Sequence, residues 1–235
     1  MYERYLDALE HLLGEVRETN RTTLPAAARI VADTVARDGL IHVFGSGHSE
    51  LLAMEIAGRA GGLACVQVII DPGHGKAEAI EGYAATLLRD IPFETRDCMI
   101  VISNSGRPAS PIEVALAGRA AGLQVVALTA ATFCRSQTSL HSTGQRLCDI
   151  ADVVLDTCGA VGDAAIELPE LTTAIGPTST SIGAALLHAT MVEAVAELVR
   201  RGVEPPIFVS QNTDDSGDHN ERLRARYRGR VLPMT

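Results

Sequence analysis

Through residues 1–36 the apolar positions Leu6, Leu9, Leu13 and Val16, then Ile30, Val31 and Val35, recur at helical spacing, broken at Thr22-Thr23-Leu24-Pro25. Two helices are predicted there. Beyond them the pattern changes to short continuous runs of Val, Ile and Leu, so residues 40–44, 64–70, 99–103, 125–129 and 153–156 read as strands. Between these runs the spacing returns to helical over 50–60, which Gly61-Gly62 ends, then over 78–89, 111–121 and 178–201. Runs without polar alternation are what strands covered on both faces require. The predicted fold is therefore α/β, a three-layer α/β/α sandwich around a five-stranded parallel sheet with the N-terminal helices packed on it. A short edge strand is expected at 205–209 and a polar segment from Asn212.

No linker long enough to separate two domains is visible. The simplest division is a helical segment over 1–39, one binding domain over 40–210 and a polar tail over 211–235. No apolar run approaches the ~18 residues of a membrane span, and the charged N-terminus lacks the apolar centre of a signal peptide. A cytoplasmic, membrane-free protein is the expectation. With 46% hydrophobic residues the chain has ample material for a core, whereas 3% aromatics, no Trp and a net charge of −9 argue against nucleic-acid binding. Its five cysteines form no Cys-x-x-Cys pair, which predicts reduced, mostly buried thiols and neither a disulfide framework nor a zinc ribbon. The acidic run Asp214-Asp215-Ser216-Gly217-Asp218 lacks the Gly and the closing Glu of a calcium loop. No metal and no cofactor are expected.

Chemistry concentrates at two strand-to-helix turns, Gly45-Ser46-Gly47-His48-Ser49 and Ser103-Asn104-Ser105-Gly106-Arg107. Small residues and hydroxyls at a helix start leave amide N–H groups and the positive end of the helix dipole open to an anion. The first turn has Glu50 where a dinucleotide fingerprint needs its third Gly, and neither turn ends in the Gly-Lys-Ser/Thr of a phosphate loop. A phosphorylated small molecule is the expected ligand.

The second turn, its buried strand, the helix after it and Gly122-Leu123-Gln124-Val125-Val126-Ala127-Leu128-Thr129 together resemble the signature of the sugar isomerase (SIS) domain family. The resemblance spans roughly residues 40–201 and is greatest to bacterial members of unassigned activity that end in a segment like Phe208-Val209-Ser210-Gln211-Asn212 followed by Asp218-His219-Asn220. It implies that hydroxyls and amides of the turns hold the phosphate of a phosphosugar, through Gly45, Ser46, Gly47, His48, Ser49, Ser103, Asn104, Ser105, Gly106 and Arg107, with Ser110, Thr178, Ser179 and Thr180 nearby. Among relatives of known chemistry, Glu81-Gly82 looks like the catalytic element of N-acetylmuramic acid 6-phosphate etherase, and His188 sits where phosphoheptose isomerase has a catalytic His. The catalytic Glu that both relatives carry on the first helix is replaced by Arg59, with Glu55 one turn earlier on the same face.

These residues suit removal of a proton beside a carbonyl, which needs a base of near-neutral pKa. Glu81, Glu55 and His188 are the candidate acid–base groups. A phosphosugar isomerase is the leading expectation. The alternatives are a phosphosugar lyase or etherase, and a sensor that binds without chemistry. Ordinary structural roles compete for each residue: polar caps for the second turn, exposed helix positions for Glu81 and Glu55, a core or interface histidine for His188. The loop of His74, Gly75 and Lys76 is either a closing flap or a plain surface loop. The resemblance further implies a homodimer or homotetramer with a shared site, for which the apolar face at 182–187 is suited, although burial within one chain explains that face equally.

Overall fold

The computed structural model describes residues 1–212 and 216–232. Five strands, β1 (Ile41–Gly45), β2 (Val66–Ile69), β3 (Cys98–Ile102), β4 (Gln124–Thr129) and β5 (Val153–Asp156), form one parallel sheet in the order β2-β1-β3-β4-β5. The chain reverses direction across the sheet between β1 and β3, and their register pairs Gly45 with Ile102. The two glycine- and serine-rich turns therefore leave neighbouring strand ends, about 4.8 Å apart. In open α/β sheets a switch point of this kind is where ligands bind.

Strands β1 to β4 are buried on both faces because helices cover both, and the edge strand β5 is half-buried. Ile41, Val43, Ile100, Ile102, Val126 and Leu128 face a core built with α2 (Thr23–Ala36), α3 (His48–Glu55) and α8 (Ser179–Arg200). Phe44, Met99, Val101, Val125 and Ala127 face the opposite core with α4 (Tyr83–Leu88), α5 (Ala109–Ala120) and α7 (Leu147–Ile150). The first helix, α1 (Tyr2–Thr19), buries Val16 against the first core, and α6 (Ala131–Ser136) links β4 to α7.

Several elements differ from the sequence pattern. The helix expected over 50–60 starts two residues earlier and ends at Glu55, since Gly58 has φ +65° and Gly61 φ +77°. The one expected over 78–89 shrinks to α4, because 71–82 is a chain of tight turns ending in left-handed Gly82, φ +85°. A two-stranded hairpin, β6 (Ala164–Ile166) with β7 (Ile175–Pro177), precedes α8; three-residue strands are too short for a periodicity to register. The 205–209 segment adds no strand to the sheet and runs along 61–64, joined by the Ala64 amide to Pro206 O at 2.8 Å and the Phe208 amide to Gly62 O at 3.0 Å.

The polar tail conceals α9 (Ser216–Tyr227), docked by the buried Tyr227 and by Arg226 and Arg230, which grip Asp38 at 2.8 and 2.9 Å. Asn220 is buried and exchanges both amide bonds with Val209, at 3.0 and 2.9 Å, so the Asn220 end of the tail signature is a structural clip. Asp214 and Asp215 of the acidic run lie outside the described residues. One helix corrects the reading of the apolar runs: α8 is apolar and long enough to cross a bilayer by length and composition alone. Its Ile182, Gly183, Leu186 and Leu187 are buried in this chain's own core, which accounts for that apolar face within a single chain. Cys65, Cys98 and Cys134 are buried, Cys148 and Cys158 half-buried, and all five are free thiols.

Candidate functional site

The first turn is built around glycine. A side chain at Gly45 would strike the backbone of Ser49, and Gly47 has φ +58° and ψ −129°, a conformation only glycine adopts readily. These residues let α3 start immediately at the strand end. The Ser46 hydroxyl, expected to hold phosphate, instead donates to Asp71 at 3.0 Å. Asp71 is fully buried and also accepts from the amides of Gly73 and Gly75, at 2.9 and 2.8 Å, and from the Tyr83 hydroxyl at 2.8 Å. Burial alone would raise its carboxyl, but the Gly75 amide, the Tyr83 and Ser46 hydroxyls and the Gly73 amide outweigh that and hold it below the ordinary carboxylate range. The buried Glu50, in the first turn of α3, accepts the Asp71 amide at 3.1 Å and binds Nδ1 of His74 at 2.9 Å. The 71–83 loop is thereby strapped across both turns, because Gly75 packs on Gly47 and the Ser110 amide donates to Glu78 O at 2.8 Å.

In the second turn the Ser103 hydroxyl accepts the Gly106 amide at 3.2 Å and shapes the loop from within. Gly106, with φ +59°, lies against the Cys134 thiol, where a Cβ has no room. Ser105 makes no hydrogen bond to any described residue. Arg107 reaches Gln137 at 3.3 Å through one terminal nitrogen and leaves its Nε without a partner. Ser110 is fully buried, its hydroxyl unpartnered and shut away from any ligand in this arrangement. Beside the turn, Asn104 Oδ1 and the buried Thr157 Oγ1 lack partners in a crevice flanked by His48, Ser49, Ser179 and Thr180. Its volume of about 10 Å³ suits one water, so a larger group needs the starts of α3 and α8 to separate.

The start of α8 is already occupied by an anion of the chain itself. Asp163 accepts the amides of Thr178 and Ser179 at 3.1 and 2.8 Å and the Ser179 hydroxyl at 2.5 Å. The start of α6 is similarly capped by Asp156, which takes the Ala131 amide at 2.9 Å, and that of α4 by Glu113. Glu50 and Asp71 place two carboxylates at the start of α3. The first turn of α5 carries no acidic residue, and Arg107 precedes it. Among the helix starts after strands β1, β3 and β4 and at α8, that of α5 is the one faced by no carboxylate, its Ser110 amide being taken only by the neutral Glu78 O.

The acid–base candidates fall into two places. Glu81 is exposed, and the Ser142 hydroxyl and amide hold its carboxyl below the usual range, the opposite of what a carbon base needs. Glu55 and His188 do come together, at 3.3 Å, with Arg59 ion-paired to Glu55. Burial first, and then the Arg59 charge, lower the His188 pKa. All three are part-exposed, and Glu55 sits about 10 Å along the helix from His48. Sequence reasoning missed Glu50, Asp71, Tyr83, Thr157 and Asp163. Glu50 had a visible signal, a carboxylate five residues after a strand-end glycine. Asp71, Tyr83 and Asp163 act through contacts across 12 or more positions or through backbone donors that no side-chain pattern encodes, and Thr157 is brought beside Asn104 by the fold alone.

Residues 4–130 match the SIS domain. A UPF0309 protein of Streptomyces griseus is 37% identical over 240 residues, covering 97% of this chain and 96% of its own length. The phosphoheptose isomerase of Neisseria gonorrhoeae superposes with TM-score 0.54 at 17% identity, over 81% of this chain and 95% of that one. The NanR protein of Vibrio vulnificus, solved with ManNAc-6P, superposes with TM-score 0.51 at 16% identity, over 84% of this chain and 62% of that one. The five-stranded parallel sheet, its flanking helices and the family match agree: this chain belongs to the SIS domain family.

Proposed function

We propose that the chain binds a phosphorylated sugar with its phosphate at the start of α5 and isomerises it by proton transfer beside the carbonyl. The observation that carries this reading is the open α5 turn: Ser105 free, Arg107 alongside, and no internal carboxylate, while the neighbouring starts of α6 and α8 are capped by Asp156 and Asp163. Phosphate contacts there orient the sugar, converting remote binding energy into placement of the reacting carbons over the adjacent first turn. The structural neighbours named phosphoheptose isomerase, or solved with ManNAc-6P, support a ligand of this class. A dimer or tetramer with a shared site belongs to the same reading, supported by exposed Leu51, Met54, Val192 and Val199.

The test is a thermal-shift screen against ketose and aldose phosphates and N-acetylamino sugar phosphates, followed by proton NMR of each hit in deuterium oxide. Stabilisation with exchange of a proton beside the carbonyl is the expected result. Stabilisation without exchange favours the sensor, for which the pairing of Arg59 with Glu55, the candidate replacement for the missing first-helix base, is the supporting observation. Stabilisation with elimination of a substituent marks a lyase, and no stabilisation by any phosphosugar refutes the proposal.

A further inference from the structure

The geometry points to His74, held by the buried carboxylate of Glu50, as the group that moves the substrate proton, an inference that rests on the phosphosugar reading above. Four observations converge on this residue. Its Nδ1 lies 2.9 Å from Glu50 Oε2, and Glu50 is itself fixed from the other oxygen by the Asp71 amide. The His74 side chain is 75% exposed although Glu50 is buried, so a ring anchored on one nitrogen presents the other to solvent. The next residue, Gly75, packs against Gly47, which places the ring beside the first turn and one strand away from the phosphate turn. The backbone of His74 is left-handed, φ +47°, a conformation that costs energy for a non-glycine residue and is kept here by Asp71, which holds the amides on both sides.

The charges divide the labour between the turns. Glu50 and Asp71 repel a phosphate from the first turn, while Arg107 and the start of α5 take it. With Nδ1–H donating to Glu50, the Nε2 lone pair accepts the proton from the carbon beside the carbonyl. The C–H electron pair becomes the C=C bond of an enediolate, and the carbonyl π pair moves onto oxygen. The imidazolium then returns that proton to the former carbonyl carbon as the hydroxyl proton passes to the neighbouring oxygen. Aldose and ketose interconvert with no proton gained or lost. Glu50 is the positioning residue: it fixes the tautomer and stabilises the imidazolium.

The experiment follows exchange of the carbon-bound proton in deuterium oxide with ketose phosphates of five, six and seven carbons, for wild type, His74→Gly, Glu50→Gln and Glu81→Gln. Glycine fits the left-handed backbone at 74, so the variant relieves strain and keeps the fold. His74→Gly is expected to lose about 100-fold or more in exchange at unchanged phosphosugar affinity, with added imidazole restoring a measurable part. Glu50→Gln, which leaves Asp71 and Tyr83 in place, is expected to slow exchange about tenfold or more at unchanged phosphosugar affinity, the split of a residue that acts through the ring. Exchange by His74→Gly within threefold of wild type, or a loss that imidazole does not restore while Glu81→Gln shows the same loss, overturns the assignment and leaves the phosphosugar reading standing. Absence of exchange in wild type overturns both together.

Discussion

Replacing Asp71 by Asn tests whether the strap over the two turns is held as described. In the native protein one carboxylate oxygen takes the Gly73 amide and Tyr83 hydroxyl, and the other takes the Gly75 amide and Ser46 hydroxyl. An amide offers one acceptor oxygen, so in either orientation its NH₂ faces a backbone N–H; Ser46 or Tyr83 can rotate to accept, but Gly75 or Gly73 cannot. One buried amide loses its partner, at about 1–3 kcal/mol, and the surviving bonds lose their charge assistance. Relief from burying a charge offsets part of this, leaving a net loss of about 2 kcal/mol, or about 4–8 °C in a domain of this size. The pH dependence has a definite sign. Because the folded Asp71 pKa is depressed, its contribution is complete above the unfolded value of about 3.9 and fades as pH falls through the lower folded value. Urea denaturation followed by circular dichroism should therefore show wild type more stable at neutral pH, with the gap narrowing in acid. A gap under about 0.5 kcal/mol at neutral pH, or one that widens in acid, refutes the network as the anchor of the loop.

Asp163→Ala removes the cap shared by Thr178 and Ser179 and should destabilise the chain by about 1–2 kcal/mol in the same denaturation assay; an unchanged midpoint contradicts the capping role. Burial pushes the Cys65, Cys98 and Cys148 thiols up to about 12, and Cys134 is buried. A thiol reagent at mildly alkaline pH should accordingly label fewer than one of the five thiols per native chain and all of them in denaturant, whereas two fast-reacting native thiols contradict the core placement.

The sheet was legible because its evidence is local. Unbroken apolar runs such as Met99–Ile102 announce strands covered on both faces, and the turns announce themselves by glycine and serine next to those runs. Helix ends were less legible, since α4 is cut short by amides of Gly73 and Gly75 folding onto Asp71, a tertiary event that local propensity does not encode. The tail illustrates the same limit: its composition is polar, yet Tyr227 is buried in a core built by residues far away in sequence and Asn220 is buried against Val209. At the site, hydroxyl-rich turns were recognisable, but which hydroxyls remain available was not. Ser46, Ser103 and Ser179 are occupied by Asp71, Gly106 and Asp163, and Ser105 is left free by a difference that lies in partners from other elements.

The most direct test of the account is calorimetric titration of the tightest phosphosugar from the screen against wild type and Ser105→Asp. A carboxylate at the start of α5 imitates the internal anions that close the starts of α6 and α8. The account predicts a loss of affinity of about 100-fold or more with the thermal midpoint nearly unchanged, because like charges now meet at a site Ser105 shares with no protein partner. Equal affinity for both proteins, or equal affinity of wild type for the same sugar without its phosphate, contradicts phosphate recognition at this turn.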